Sequence, residues 1–372
     1  MRDCRSAIPF FVYKREYNMG FYVTDSPVER DVNKEHSYDD VWKELVLDKT
    51  YTAKDRVIVC DSDMIAYRVA SACDNRSILV SRGGKTKEFK TRTEFKKYCA
   101  DKGLDYNTFT IEDKIVAEPI ENCLSTIKRI INNIKEQHNI NHVVHILSGS
   151  GNHRLDLPLP TKYKSNRKDM IKPTHLQACK DYLIKYHNAY VISGYEADDI
   201  VQSLTEYIIN NTKAYGIAFS IDKDYHTSLK KNRYLNPITD KIVELDGGLG
   251  KLERTDKGVK GDGLFWICYQ LMMGDSSDGY NMKYFYNKKY GEVSFYNDMK
   301  DCTSEYELLT KVVLKIKELV GDSVEYTAWN DNEMSLSWLE LAELYFSCLY
   351  MRGYRDDLTL EKLLIKYGVS YE

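Results

Sequence analysis

The chain has 372 residues, 43% hydrophobic and 29% charged, a balance too apolar for disorder and too interrupted by charge for membrane spans. Its length is enough to bury a large core without disulfides or structural metals. The net charge of −3, from 53 basic and 56 acidic residues, argues against a nucleic-acid partner only if the acids are evenly spread. Carboxylates gathered around two divalent cations would leave the basic residues free to meet phosphate.

The proline-broken run Ile8 to Tyr13 is not followed by a small-residue cleavage site, so no secretory signal is expected and the protein is placed in the cytoplasm. Nine scattered cysteines without a C-x-x-C pair fit free thiols in that compartment. Residues 1–54 show no clear period and read as an N-terminal extension of unknown role. Val57 to Cys60 is the first strand signal. It ends at Asp61-Ser62-Asp63 and is followed by a helical pattern through Ala72. Residues 75–92 read as a hairpin or loop, Thr93 as the cap of a short helix from Glu94, and 118–137 as an amphipathic helix. A second strand, His142 to Leu147, leads to the loop 148–151 and a basic, proline-punctuated stretch ending at Pro173. Thr174 reads as the cap of a helix reaching His187.

Further strands are expected at Tyr190 to Ile192 and at Gly216 to Ile221, separated by a helix that opens at Gly194-Tyr195-Glu196-Ala197-Asp198-Asp199. Strands alternating with helices predict an α/β fold with a central, mainly parallel sheet flanked by helices. Beyond Leu245 a glycine-rich link precedes helices near 263–273, 304–319, 335–351 and 359–367, a helical C-terminal region packed on the sheet.

Ligands of such sheets gather outside the carboxyl ends of the strands, and the acids concentrate there. Asp61 and Asp63 follow one strand, and Asp222 and Asp224 another. Glu196, Asp198 and Asp199 open a helix after a third, and Asp275 and Asp278 close the helix near 273. Each group alone has a turn or capping explanation. Together at one edge they would repel strongly, and hard oxygen donors in this number suit two Mg²⁺, with Mn²⁺ able to substitute, as used for phosphodiester attack. Lys162, Lys164, Arg167, Lys168 and Lys172 form a run suited to a polyanion, and Tyr67, Tyr163 and Tyr195 could stack on bases or cover the site. Lys288 and Lys289, between aromatic residues after Asp278, could ride on a duplex backbone.

The ordered set VIVCDSDMIAYR, KYKSNRK, GYEADDIV, FSIDKDYHT and MMGDSSDGY, from Val57 to Gly279, resembles the 5′ nuclease superfamily, and within it the phage 5′→3′ exonucleases. The resemblance implies a PIN/flap endonuclease-like fold and a metal-dependent 5′→3′ exonuclease on DNA, with flap or RNA-primer removal, giving 5′-phosphate and 3′-hydroxyl products. It implies an α/β core over 55–245 with a basic helical arch near 152–190, and a region 246–372 that completes the metal site and contacts duplex DNA.

By motif matching, Asp61, Glu196 and Asp198, with Asp199 close by, would serve one metal; Asp222, Asp224, Asp275 and Asp278 would serve the other. Lys164 and Arg167 would grip the scissile phosphate, Arg68 would lie beside the reacting strand, and Lys162, Tyr163, Lys168, Lys172, Lys288 and Lys289 would bind nucleic acid. The expected partner is DNA with a 5′ end or flap, or an RNA–DNA hybrid, in the host bacterial cytoplasm for a phage-encoded enzyme. Two departures stand out. Gly149 occupies a place where the family has an Asp, with Asp63 a candidate to compensate, and NMKYFYNKKYGEVSFY replaces the family's glycine-rich duplex-binding hairpin. The alternative readings are a catalytically weakened nucleic-acid-binding relative, and a phosphatase-like use of Asp61-Ser62-Asp63 as nucleophile motif.

Overall fold

Ser37 Oγ accepts the Asp40 amide at 3.1 Å and starts a short helix, α1 (Tyr38–Trp42), which continues into a π-helical turn over Lys43–Leu47. The computed structural model describes residues 31–371. The expectations made for residues 1–30, including the Ile8 to Tyr13 run, lie outside the described residues. Residues 31–54 join the body of the protein. Tyr38, Val41, Trp42, Leu45 and Val46 are buried against one face of the central sheet, and the His36 amide bonds the Val191 carbonyl at 2.7 Å.

Strand β1 (Arg56–Asp61) is the unbroken apolar run of the sequence and feeds directly into α2 (Ser62–Ala72). A three-stranded antiparallel unit follows. It comprises β2 (Asp74–Arg82), β3 (Lys85–Phe89), α3 (Arg92–Lys102) and β4 (Thr110–Ala117), in strand order β3-β2-β4. Phe95 and Cys99 of α3 pack on Ile78, Val80 and Phe89, giving the unit a small core of its own. The main body resumes with α4 (Ile120–Gln137), β5 (His142–Asn152), α5 (Leu176–His187), β6 (Tyr190–Gly194) and α6 (Ala197–Asn211). It continues through β7 (Tyr215–Phe219), β8 (Asn232–Asn236) and β9 (Lys241–Leu245).

The six-stranded sheet has order β6-β5-β1-β7-β8-β9, parallel except for β9. Side chains alternate across β1. Val57 and Val59 face α1 and α6, while Ile58 and Cys60 face α2, α4 and α5. Burial on both faces explains why β1 reads as continuous apolar sequence. From β1 the chain goes to β5 and β6 on one side and then crosses back to β7 on the other, so a crevice opens at the carboxyl end of β1.

The C-terminal region has a core of its own built around α7 (Gly263–Met273), in which every residue but Tyr269 is buried. It contains the hairpin β10 (Leu252–Thr255) and β11 (Gly258–Gly261), helices α8 (Glu292–Met299) and α9 (Glu305–Val320), and the hairpin β12 (Ser323–Thr327) and β13 (Glu333–Ser337). Helices α10 (Trp338–Leu349) and α11 (Leu360–Lys366) complete it.

Several expectations need correction. The helix near Glu94 starts two residues earlier, because Thr91 and not Thr93 accepts the first free amide. The loop expected at 148–151 belongs to β5, whose pairing with β6 shifts register between Ser148 and Asn152. The start of the helix expected at 335 is the second strand of a hairpin, since Ser337 and Glu340 form a capping box that starts α10 at Trp338. The basic stretch forms no α-helical arch before α5. Between Pro158 and Pro173 the helical segment described is the 3₁₀ turn Ser165–Arg167. The stretch lies instead against the β12–β13 hairpin. Trp329 donates from its amide to Leu159 O and from its indole to Leu157 O, both at 2.9 Å, and the Tyr326 hydroxyl donates to Pro158 O at 2.7 Å.

All eight described cysteines are free and buried, and no described helix is long and apolar enough to cross a membrane.

Candidate functional site

Asp61 is the last residue of β1 and the N-cap of α2, where its Oδ1 accepts the Met64 amide at 3.1 Å. Burial, then the nearby charges of Asp63 and Asp222, push its carboxyl up to about 7. Asp63 faces a different partner set: its Oδ2 accepts the Ser148 amide at 2.8 Å and its Oδ1 is 2.5 Å from Lys180 Nζ.

At the end of β6, Gly194 turns with φ 82° and places Glu196 as the N-cap of α6. Glu196 and Asp199 form a reciprocal capping box, which fixes the first turn. Asp198 lies between them, and burial, then Glu196 and Asp199, raise its carboxyl well above the ordinary range. On the other side of β1, Asp222 caps the 3₁₀ turn after β7 by accepting the Asp224 amide at 3.0 Å. Burial and Asp222 raise the Asp224 carboxyl, against a 2.7 Å bond from Gln270 Nε2 of α7.

Gly274, at φ 73°, ends α7 and starts the turn that carries Asp275 and Asp278. A Cβ there would come within 2.6 Å of the Tyr280 carbonyl, so glycine is needed on both counts. Asp275 Oδ1 accepts the amide and hydroxyl of Ser277 at 2.7 and 2.6 Å, and Oδ2 is 2.7 Å from Lys223 Nζ. Burial opposes its ionisation, but Lys223 and Ser277 outweigh that and hold the carboxyl below its usual range.

Eight acids from distant parts of the chain thus share one electrostatic neighbourhood. Asp61 feels Asp222, Asp224 feels Asp275 and Asp278, Asp278 feels Glu196, and Asp198 feels Glu196 and Asp199. The basic stretch answers them. The Tyr163 hydroxyl donates to Asp278 Oδ2 at 2.7 Å and to Glu196 Oε2 at 3.2 Å. Lys164 Nζ donates to Glu196 Oε1 at 2.5 Å, and Arg167 Nη2 to Asp278 Oδ1 at 2.6 Å. Burial alone would push the Asp278 carboxyl up further, but Lys164, Tyr163 and Arg167 restrain it.

Sequence reasoning missed Arg154. Its guanidinium is buried, with both outer nitrogens on Asp199 at 2.7 Å and one also 3.3 Å from Glu196. No spacing singles it out, because it is one isolated cation in GNHRLD. Gln270 was more legible, as a lone amide in the apolar run GLFWICYQLMM. Asp199 is accordingly a structural anchor and not an open ligand, since Arg154 takes both its oxygens.

Tyr163, 3% exposed, is part of the core and has no free face for a base. Lys162 lies over the Trp329 ring at 4.2 Å and Lys288 is paired with Glu318, while Lys168, Lys172 and Lys289 are exposed. Arg68 is half-buried on α2, and burial lowers its proton affinity.

Among the described residues, no group of three or more His, Cys, Asp or Glu side chains is arranged to hold a metal ion. Glu196, Asp278 and Asp275 are turned to Lys164, Arg167 and Lys223. Asp61, Asp198, Asp222 and Asp224 are in no ion pair among the described residues. The donor chemistry nevertheless fits a divalent cation. Three of these four, Asp61, Asp198 and Asp224, are half-buried carboxylates whose ionisation is resisted by desolvation and by neighbouring acids, and hard oxygen donors of this kind match Mg²⁺ or Mn²⁺.

No protein-family model and no curated protein matches the chain. Solved structures do match it, each over 84% of this chain and 98% of the other. They include a T5 5′-exonuclease mutant (11% identity, TM-score 0.43) and a bacteriophage T5 flap endonuclease in a pseudo-enzyme–product complex with DNA and metal ions (12%, 0.45). A T5 protein co-crystallised with metal ions is a third (13%, 0.42). At these identities the likeness is one of fold alone.

Proposed function

We propose that the chain is a divalent-metal-dependent 5′→3′ nuclease that hydrolyses phosphodiesters of DNA near a 5′ end or flap, leaving 5′-phosphate and 3′-hydroxyl. The observation that carries this reading is the gathering of Asp61, Glu196, Asp198, Asp222, Asp224, Asp275 and Asp278 at the carboxyl edge of a mainly parallel sheet, with Lys164 and Arg167 against them. Asp61 and Asp198 would hold one cation and Asp222 and Asp224 another, with Glu196, Asp275 and Asp278 joining as they exchange their present cationic partners. When bound, two Mg²⁺ supply charge that offsets the crowded carboxylates and polarises the phosphodiester.

The side chains do the rest. Lys164 and Arg167 are tied to carboxylates that a divalent cation would neutralise, and their released donors are placed to take phosphate oxygens, a point charge from Lys and a planar fork from Arg. Lys168 and Lys172 extend the same strip as exposed cations for the backbone. Arg154 keeps the first turn of α6 in place by holding Asp199 while the neighbouring acids change partners.

The test is product sizing on a 5′-labelled duplex and a matching 5′-flap substrate, with Mg²⁺, Mn²⁺ or EDTA. Metal-dependent release of mononucleotides or short oligomers from the 5′ end is expected. DNA binding without cleavage in either metal overturns the reading and makes the chain a weakened, DNA-binding relative.

A further inference from the structure

We propose that the three-stranded unit inserted between α2 and α4, residues 74–117, is a second binding surface for the nucleic-acid backbone, held on the same side of the sheet as the acidic cluster. The proposal rests on the nuclease reading for the identity of the polyanion, but on its own observations for the surface. Between Arg82 and Lys97 there are seven cations, Arg82, Lys85, Lys87, Lys90, Arg92, Lys96 and Lys97, against only Glu88 and Glu94, in a chain whose sum is −3.

Four of the unit's seven acids are already engaged, and the other three, Asp101, Asp105 and Glu112, lie outside the run from Arg82 to Lys97. Glu88 takes Lys114 and Ser77, Asp113 takes Arg92, Asp74 takes Arg76, and Glu94 accepts the Lys90 amide. Arg82, Lys85, Lys87, Lys90, Lys96 and Lys97 are exposed and in no ion pair among the described residues. Three of them are held in position by rings that leave their charge intact. Lys87 Nζ is 4.3 Å from the centre of the Tyr98 ring, Arg82 lies 5.1 Å over Phe109, and Lys96 lies 5.2 Å over Tyr106. Cations placed beforehand lose less side-chain entropy when they meet phosphate. Gly83 and Gly84, at φ 56° and 76°, close the two-residue β2–β3 turn and bring Arg82 and Lys85 face to face across it.

The placement follows from two contacts. Asp63, at the start of α2, meets Lys180 of α5, and Asp74, just after α2, accepts the amide of Thr174, just before α5. The two helices are therefore antiparallel. Helix α5 runs toward the start of β6, so α2 runs the other way and carries the unit past the carboxyl edge of the sheet. The return helix α4 has 18 residues, about 27 Å, whereas β1 has 6, about 20 Å. The surplus length sets the unit beyond the edge, next to the exposed Lys168 and Lys172 that precede Thr174. A strand engaged at the acids and crossing Lys168 and Lys172 would meet the unit next.

The test is the variant Lys85→Gln, Lys87→Gln, Lys96→Gln, Lys97→Gln of the full chain. Glutamine keeps the aliphatic stems, and these exposed side chains leave the unfolding midpoint unchanged. Binding of fluorescein-labelled 30-nucleotide single-stranded and duplex DNA is followed by anisotropy in EDTA over a range of salt. The slope of log affinity against log salt is expected to become shallower by roughly 0.7 per lost cation for single strands or 0.9 for duplex, with affinity falling tenfold or more at 0.1 M salt. Loss with one probe only identifies which form the unit holds.

Unchanged slope and affinity with both probes overturn the proposal and leave the nuclease reading standing if the wild type cleaves. Wild-type binding without cleavage, weakened in the variant, sinks the nuclease reading and keeps the surface.

Discussion

Both carboxylate oxygens of Asp199 are held by the guanidinium of Arg154 at 2.7 Å, with Asp199 1% and Arg154 3% exposed. Arg154 also donates to the carbonyls of Cys348 and Tyr350 at 2.8 and 2.9 Å, so one side chain ties the first turn of α6 to the end of α10. Removing one partner of such a pair leaves a buried charge uncompensated, which costs about 3–5 kcal/mol. Arg154→Met is expected to lose that much in urea unfolding, and the double variant Arg154→Met, Asp199→Leu to regain most of it. A loss below about 1 kcal/mol in the single variant would show that the pair does not hold the two regions together.

Gly149 explains why an Asp cannot simply be restored there. An added Cβ would lie 2.8 Å from the Ile192 carbonyl oxygen and 2.9 Å from its carbon, backbone atoms of the neighbouring strand β6. Nearby, Glu35 receives the amide and hydroxyl of Ser150 at 2.8 and 2.7 Å. Gly149→Asp is therefore expected to lose about 1–3 kcal/mol of stability, as overpacking does, with no gain in cleavage rate. A stable variant with faster cleavage would mean that β5 and β6 part easily at this point.

His145 sets an acid limit on stability. Its Nδ1 is 2.9 Å from Ser62 Oγ, and burial, then His187 and Lys135, lower its proton affinity to about 3. The unfolded chain binds this proton near pH 6.5, so the contribution of His145 is full above that pH and is lost as pH falls toward 3, by about 1.4 kcal/mol per pH unit. Unfolding free energies measured from pH 7 to 4 carry this slope together with the opposite contribution of the raised carboxyls of Asp61, Asp198 and Asp224, so it is read by comparison with a variant. In His145→Gln the slope should flatten by one proton, and an equal slope in both proteins would assign the proton elsewhere.

The sequence made the sheet legible where burial was simple. Val57 to Cys60 reads as a strand because both its faces are covered, and the acids at 61, 196, 198, 222, 224, 275 and 278 were visible because turn and cap positions are short-range signals. The partners of those acids were not. Arg154, Lys180 and Lys223 meet their carboxylates across 42 to 117 residues of chain, and nothing in local spacing records such a meeting. The basic stretch before α5 is helical only at the 3₁₀ turn Ser165–Arg167, and its charge run carries no apolar period that would have decided the matter. Of the unit at 74–117, the sequence showed a hairpin or loop and the helix near Glu94, but not the third strand, Thr110–Ala117, where charge masks the period.

Asp198 and Asp224 make the metal assignment testable without relying on catalysis alone. Burial and neighbouring acids raise both carboxyls, so in the absence of a cation each charge works against the fold. Asparagine keeps the shape, and at 224 it keeps an oxygen for the Gln270 amide, while removing the charge. Asp198→Asn and Asp224→Asn should thus unfold at the same or a higher temperature than wild type in EDTA. Mg²⁺ at one hundred times its Kd should stabilise the wild type by about 2.7 kcal/mol, and each variant should lose most of that shift together with cleavage. Variants that keep both the Mg²⁺ shift and cleavage would remove these two carboxylates from the metal site, and variants that unfold earlier in EDTA would show that their charges are balanced by the cations already present.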